Sequence, residues 1–277
     1  MKVLVEKVEG YGEARKFVDR AFEIFNPKFK YIKPNFLKHD NPENGCITHP
    51  ELIKTVVETA RSYGIEPVMM EGGFYRKSAS KCFAEFGLDS FVECVNLNED
   101  DFVEVEIKGE VLRSVKVARS AMDAKKKGYI SVPKMKVHHL TKVTLGIKNN
   151  MGFLKKPAVY MHPGIHRKLV DLLEFFQPTL TIVDGVIGGT SSEMSTKPVK
   201  HGVLVAGDNV IAVDIVSAKL MGFRPEEVRH IRYAMERFGV SEDEIEVISI
   251  PALRNSSGLI TDFPSPADFW AGLVSDF

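Results

Sequence analysis

Ten lysines, one arginine and four of the eight histidines of this chain fall between Ala124 and Val170, a stretch with no Asp or Glu. The whole chain carries 37 basic and 37 acidic side chains, which leaves 26 basic against 37 acidic outside that stretch. A neutral protein that gathers positive charge in one segment builds a local field there, and such a field suits an anion. A solvated basic face would give the same count. Here, however, Lys134 and Lys136 are threaded through Val132, Met135 and Val137, as in a strand and unlike a polar tail.

Several residues in and around this segment have types and spacings suited to chemistry. Lys33 and Asn35 flank Pro34 at a strand exit, which aims two polar groups at one rim. Lys134 and Lys136 lie two apart, hence on one side if the strand continues past Pro133. On the same alternation His138 and His139 face opposite sides, so at most one of them lines a shared pocket. Lys148-Asn149-Asn150 reads either as a helix C-cap or as a cation with amides presented to an anion. His162 and His166 are four apart, the separation that puts two imidazoles on one helical face, but Pro163 and Gly164 interrupt the helix. A third metal ligand would have to come from Glu71, Asp184 or His49. Alternatively His166, near a helix start, donates to an anion. Asp184 follows the apolar run Leu180–Val183 and needs solvent, a cation or a ligand to offset its desolvation. Asp214 falls within a helical pattern, where a dipole role at a helix N-terminus is the simpler answer.

These residues divide by role. His138, His162 and Lys134 form the proton-handling set. Lys33, Asn35, His49, Lys136, Lys148 and Asn149 form the ligand-binding set. Glu71, Asp184 and His166 are the metal-ligating set, with a divalent metal as the cofactor they would take, unless the acids instead tune a histidine's protonation. The expected ligand is a small carboxylate or phosphate. Lysine potential beside a carboxylate stabilises a developing enolate, so an isomerase- or racemase-like enzyme or a metal-assisted one would suit the set.

Positioning such groups requires a scaffold. Strands and helices alternate along almost all of the 277 residues, the pattern of an α/β protein with mainly parallel sheet covered by helices. The alternation suggests two α/β lobes, 1–125 and 126–277, with a cleft between them. An antiparallel hairpin is expected near 102–118, where Val103, Val105 and Ile107 are followed by Val111, Val115 and Val117. Thr48 can cap a helix, with Glu51 closing a capping box. Gly188–Thr196 reads as flexible, and a strand over Ile245–Ile250 precedes a Pro/Ser-rich tail. A correspondence runs between the halves. A lysine leaves a strand (Lys33, Lys134), a histidine opens the next helix (His49, His166), and an acid followed by glycine closes the strand after it (Glu71, Asp184). Parallel strands would bring all these groups to their carboxyl ends, the rim where open α/β sheets bind ligands.

Other classes are disfavoured. The three cysteines, Cys46, Cys82 and Cys94, have no CxxC spacing, which argues against a disulfide framework, a structural zinc site or an intrinsic iron–sulfur cluster. Cys46, in a polar loop, is the one candidate for a reactive thiol. No phosphate loop, GxGxxG or GxSxG pattern occurs. Tyr129 is the only aromatic between Ala124 and Phe153, so stacking platforms for nucleic acid are scarce. No apolar run approaches the ~20 residues of a membrane span. The N-terminus alternates like a strand and not like a signal peptide, so a cytoplasmic location is expected.

Lys33-Pro34-Asn35, Thr48-His49-Pro50-Glu51 and Val132-Pro133-Lys134-Met135-Lys136-Val137-His138 together resemble the domain of unknown function 362 family of bacteria and archaea. Val143-Thr144-Leu145-Gly146-Ile147-Lys148-Asn149 with Met151-Gly152, then Leu180-Thr181-Ile182-Val183-Asp184-Gly185, extend the resemblance. Gly202-Val203-Leu204-Val205-Ala206-Gly207 with Ala212-Val213-Asp214 completes it, over residues 30–235 in the expected order. The family's biochemistry is largely unassigned, so the resemblance implies little about activity. Many members look like fusions to a ferredoxin-type segment with clustered cysteines, which this chain lacks. That association supplies the alternative function, a redox accessory protein docking an iron–sulfur partner through the basic segment. The family's recurrent histidine aligns with His162 better than with His166. A looser similarity is to the lactate-racemase group, which also places Lys and His at an interlobe cleft.

Overall fold

Successive residues of each central strand feed two different cores. The computed structural model describes residues 1–74 and 78–249. Its strands are β1 (Lys2–Lys7), β2 (Tyr31–Pro34), β3 (Val68–Glu71), β4 (Glu93–Asn96), β5 (Phe102–Glu106), β6 (Ser114–Ala118), β7 (Tyr129–Val132), β8 (Lys134–His138), β9 (Lys142–Val143), β10 (Leu180–Ser191), β11 (Thr196–Gly207) and β12 (Glu246–Ser249). Ten of them form one sheet in the order β12-β1-β11-β10-β7-β2-β3-β4, with β8 beside β10 and β9 beside β8. The run β10-β7-β2-β3-β4 is parallel throughout, as are β8–β10 and β1–β12. The β1–β11, β10–β11 and β8–β9 pairs are antiparallel. The sheet is therefore largely parallel, and strands from before and after residue 125 share it.

Leu4, Ile32, Met69, Ile130, Ile182 and Leu204 point to one face, where α1 (Ala14–Phe25), α2 (Pro50–Ser62) and α3 (Ser78–Glu85) cover them. Their strand neighbours Val3, Tyr31, Met70, Tyr129, Val183 and Val205 point to the other. That face is covered by α4 (Arg119–Lys127), α5 (Leu145–Asn149), α6 (Pro157–Met161), α7 (Ile165–Phe175), α8 (Val210–Leu220) and α9 (Arg229–Phe238). Period-two alternation thus builds a helix–sheet–helix sandwich from strands buried on both sides. Among the described residues no helix is long and apolar enough to cross a membrane.

The hairpin expected near 102–118 is present as β5 and β6, a separate two-stranded antiparallel sheet. Asp171 of α7 anchors its turn by accepting the N–H groups of Glu110, Val111 and Leu112 at 3.0, 2.9 and 2.8 Å. Asp214 serves a helix other than its own. Buried in α8, it accepts the N–H groups of Gly146 and Ile147 at 2.8 and 2.9 Å, at the positive end of α5.

Two local expectations are corrected. The cap of α2 is His49, whose ring accepts the N–H of Glu51 at 3.2 Å. Thr48 instead ties two strand ends together: its hydroxyl donates to the Val132 carbonyl at 2.7 Å and accepts the N–H of Asn35 at 2.8 Å. The Gly188–Thr196 stretch is not slack, because β10 and β11 carry paired residues as far as Ser191 and Thr196. Gly188 is there for proximity: a Cβ would lie 2.4 Å from the His201 ring and 2.6 Å from the Met135 carbonyl. Glycine inside a strand can mark close backbone approach as well as freedom. Ile250 and the Pro/Ser-rich tail lie outside the described residues.

Candidate functional site

The carboxyl ends of β2 and β3 hold a buried ion pair. Lys33 donates to Glu71 at 2.9 Å with both side chains almost wholly inaccessible, and its ammonium also lies 3.4 Å from Asn149 Oδ1. Glu71 further accepts the N–H groups of Phe36 at 3.2 Å, Gly72 at 2.8 Å and Gly73 at 3.3 Å. The chain of Gly152 passes directly over this pair, and a Cβ there would sit 2.5 Å from Lys33 Nζ and 2.8 Å from Glu71 Oε1. Asn149 braces the arrangement by donating to Ser131 Oγ and the Lys33 carbonyl at 2.9 and 3.2 Å.

Beside the pair opens a cavity of about 480 Å³. Lys33, Asn35, Glu71, Thr144, Lys148 and Asn149 line it with His138, His139, His162 and Glu193, and its remaining lining is largely apolar. Lys148 differs from every other lysine considered so far. Among the described residues its half-buried ammonium has no hydrogen bond or ion pair. Burial, reinforced by the charges of Lys136 and Lys33, pushes it down to about 8. Two further polar atoms on this wall, Asn35 Oδ1 and Thr144 Oγ1, are buried without a partner.

His138 ends β8, and its Nδ1 accepts the N–H of Leu140 at 3.1 Å. That bond fixes the neutral tautomer with the proton on Nε2, which stands 3.8 Å from Glu193. Burial, with Lys148 next in importance, holds the ring neutral far below the usual histidine range. His139 stacks on His138 with centroids 5.0 Å apart and meets Glu193 Oε1 at 2.6 Å. Both histidines therefore line the cavity, contrary to the alternation expected of them. The strand stops at His138, and the turn that follows swings His139 back to the same side. His138, His139 and Glu193 are also the one metal-ligating cluster found among the described residues, with ligand atoms within 4.8 Å of one another. Coordination through His138 Nε2 would require that nitrogen to shed its proton, and the Leu140 bond opposes this.

A second buried pair joins β8 to β10. Lys134 and Asp184 meet at 2.9 Å with neither side chain accessible. The Tyr11 hydroxyl donates to Asp184 at 2.9 Å and accepts from Lys134 at 3.1 Å, and the His49 N–H donates to Asp184 at 2.8 Å. The Tyr11 and His49 rings stack 3.8 Å apart over the pair. Asp184 thus has its desolvation offset by the protein's own cation. Burial pushes the Lys134 ammonium down against the pull of Asp184, and pushes the Tyr11 hydroxyl up. Lys136 sits between the two pairs, donating to the Cys46 carbonyl at 2.6 Å, and burial pushes it down too. Cys46 itself is fully buried with its thiol pushed up by burial, so it does not meet the condition for a reactive cysteine.

Of the residues singled out from the sequence, Lys33, Asn35, Glu71, His138, Lys148, Asn149 and His162 line the cavity. Lys134 and Asp184 form the sealed pair, which His49 joins through its N–H, and Lys136 lies between the two pairs. His166 lies apart, its ring 6.1 Å from that of His230. Glu71, Asp184 and His166 are therefore not brought together as a ligand set. Sequence reasoning passed over Glu193, Thr144 and Tyr11. Glu193 stood in a stretch read as flexible, and nothing in the local pattern ties Tyr11 to Asp184 across 173 residues.

No solved structure matches this chain at a significant level. The Thylakoid-associated protein sll1697 of Synechocystis sp. (strain ATCC 27184 / PCC 6803 / Kazusa) is 26% identical over 263 residues, covering 89% of this chain and 76% of that protein. The family model described as Domain of unknown function (DUF362) matches residues 31–219, which takes in both buried pairs except Tyr11, the cavity's polar wall and the β10–β11 hairpin. The chain belongs to the DUF362 family.

Proposed function

We propose that this protein binds a small carboxylate or phosphate in the 480 Å³ cavity beside β2, β3 and β8. One observation carries the reading: the Lys148 ammonium has no hydrogen bond or ion pair among the described residues, and it stands at a cavity whose lining residues Asn35 and Thr144 hold buried oxygens without a partner. A buried polar atom left unmet costs about 1–3 kcal/mol, and a ligand that meets it recovers that cost. Lys148 supplies the counter-charge. The neutral His138 offers its Nε2–H as an uncharged donor, and Asn35 Oδ1 accepts from a hydroxyl or amide on the ligand. Lys33 and Glu71 neutralise each other, so they shape the floor without adding net charge.

The chemistry open to this arrangement is proton transfer beside a bound carboxylate, with the ammonium stabilising the developing enolate. Lys148, at about 8, keeps its proton at neutral pH, and His162, neutral on the exposed side, takes the proton released from the carbon beside the carboxylate and passes it to solvent. The binding step is tested by titrating inorganic phosphate and acetate separately into the full chain by calorimetry. The wild type takes up one equivalent of at least one of them, and Lys148→Met weakens it by about tenfold or more, about 1.4 kcal/mol. Equal affinity in the variant rejects Lys148 as the anchor.

A further inference from the structure

The cavity is polar only at its inner wall. Leu37, Phe74, Met151, Val159 and Met194 form much of the rest. Five large apolar side chains are strongly exposed among the described residues, and two of them, Phe74 at 52% and Val159 at 76%, stand at this cavity. A site for a fully hydrated anion such as phosphate gains nothing from such walls. Ligand pockets combine apolar lining with a few convergent polar groups when the ligand itself is divided in that way.

Resting on the anion-binding reading above, we infer that the ligand is amphipathic: a carboxylate bearing an alkyl or aryl tail. The head meets Lys148 and the His138 Nε2–H at the inner wall. The tail runs outward along Met151 and Met194 to Phe74 and Val159, which it covers. Methionine suits this role because its flexible thioether adapts to tails of differing shape. A volume of about 480 Å³ lies within the range of small-molecule pockets and exceeds what acetate or phosphate alone would fill.

The test is a chain-length series of free acids (acetate, butanoate, hexanoate and octanoate) titrated into the full chain below the concentrations at which they form micelles. Octan-1-ol serves as the uncharged control. Each added methylene tightens binding by about twofold to fourfold until the cavity is full. Octanol binds at least about tenfold more weakly than octanoate, for want of charge. Because Phe74 and Val159 are exposed, Phe74→Ser and Val159→Ser fold normally, weaken octanoate, and leave acetate unchanged. Acetate or phosphate binding with no gain along the series overturns the tail assignment while leaving the anion-binding reading intact. Absence of binding by every acid and by phosphate overturns both. Co-sedimentation with vesicles of anionic lipid, combined with no gain along the free-acid series, also overturns it, by moving the apolar rim's role to a lipid surface.

Discussion

The pairs Lys33–Glu71 and Lys134–Asp184 are built alike and surrounded differently. In each, a lysine on one parallel strand meets, at 2.9 Å, an acid on the neighbouring strand. Around Lys134–Asp184 the protein closes completely: Tyr11 and the His49 N–H take the remaining positions, and two stacked rings lie over them. Around Lys33–Glu71 the backbone of Gly152 passes close over the pair, and both residues also belong to the wall of a cavity that holds Lys148. The comparison separates charge that is spent from charge that is available. Of the four lysines singled out as site residues, Lys33, Lys134 and Lys136 already have partners, in Glu71, Asp184 and the Cys46 carbonyl. Among the described residues only Lys148 of those four has none.

The sealed pair should be the more costly to break. Lys134→Met leaves Asp184 buried with two neutral donors and no cation, and is expected to lower the unfolding free energy by about 3–5 kcal/mol in urea melts. Adding Asp184→Leu should recover much of that loss, because it removes the stranded charge. A single variant as stable as the wild type would show that the pair is not structural. Lys33→Met should cost less, about 1.5–3 kcal/mol, since Glu71 keeps three backbone donors and gains access to cavity water. If the two variants lose equal stability, the distinction between open and sealed pairs fails.

The smallest effect is the most specific. Only the protonated Lys148 attracts an anion, and its ammonium loses its proton near pH 8 where an ordinary lysine does so near 10.4. Anion affinity should therefore be level from about pH 6 to 7 and fall as pH rises through about 8, approaching a tenfold loss per unit beyond it. Affinity that persists unchanged to about pH 10 would assign the anion to a different, ordinary lysine.

Most of the framework was legible in the sequence because it is written in local pattern. The parallel sheet, its covering helices and the hairpin near 102–118 follow from period-two and period-3.6 apolar spacing, which depends on neighbours a few residues away. The correspondence between halves also carried spatial information, since it matched Lys33 to Lys134 and Glu71 to Asp184, the lysine and the acid of each buried pair. What the pattern could not show is who satisfies whom. Tyr11 closing over Asp184, Glu193 reaching His139 and the lack of a partner for Lys148 among the described residues are facts of long-range packing. The misreading of His139 has a simpler cause: alternation holds only while the strand lasts, and this one ends a residue earlier. The glycines at 188 and 189 look like slack in the sequence because close backbone approach and freedom call for the same residue.

A crystal structure of the protein grown with inorganic phosphate tests the central distinction most directly. The account predicts phosphate in the cavity with an oxygen about 2.7–3.2 Å from Lys148 Nζ, and both lysine–carboxylate pairs intact. Phosphate bound instead by an opened Lys134–Asp184 pair, or found only on the outer surface with the cavity bare, would contradict it.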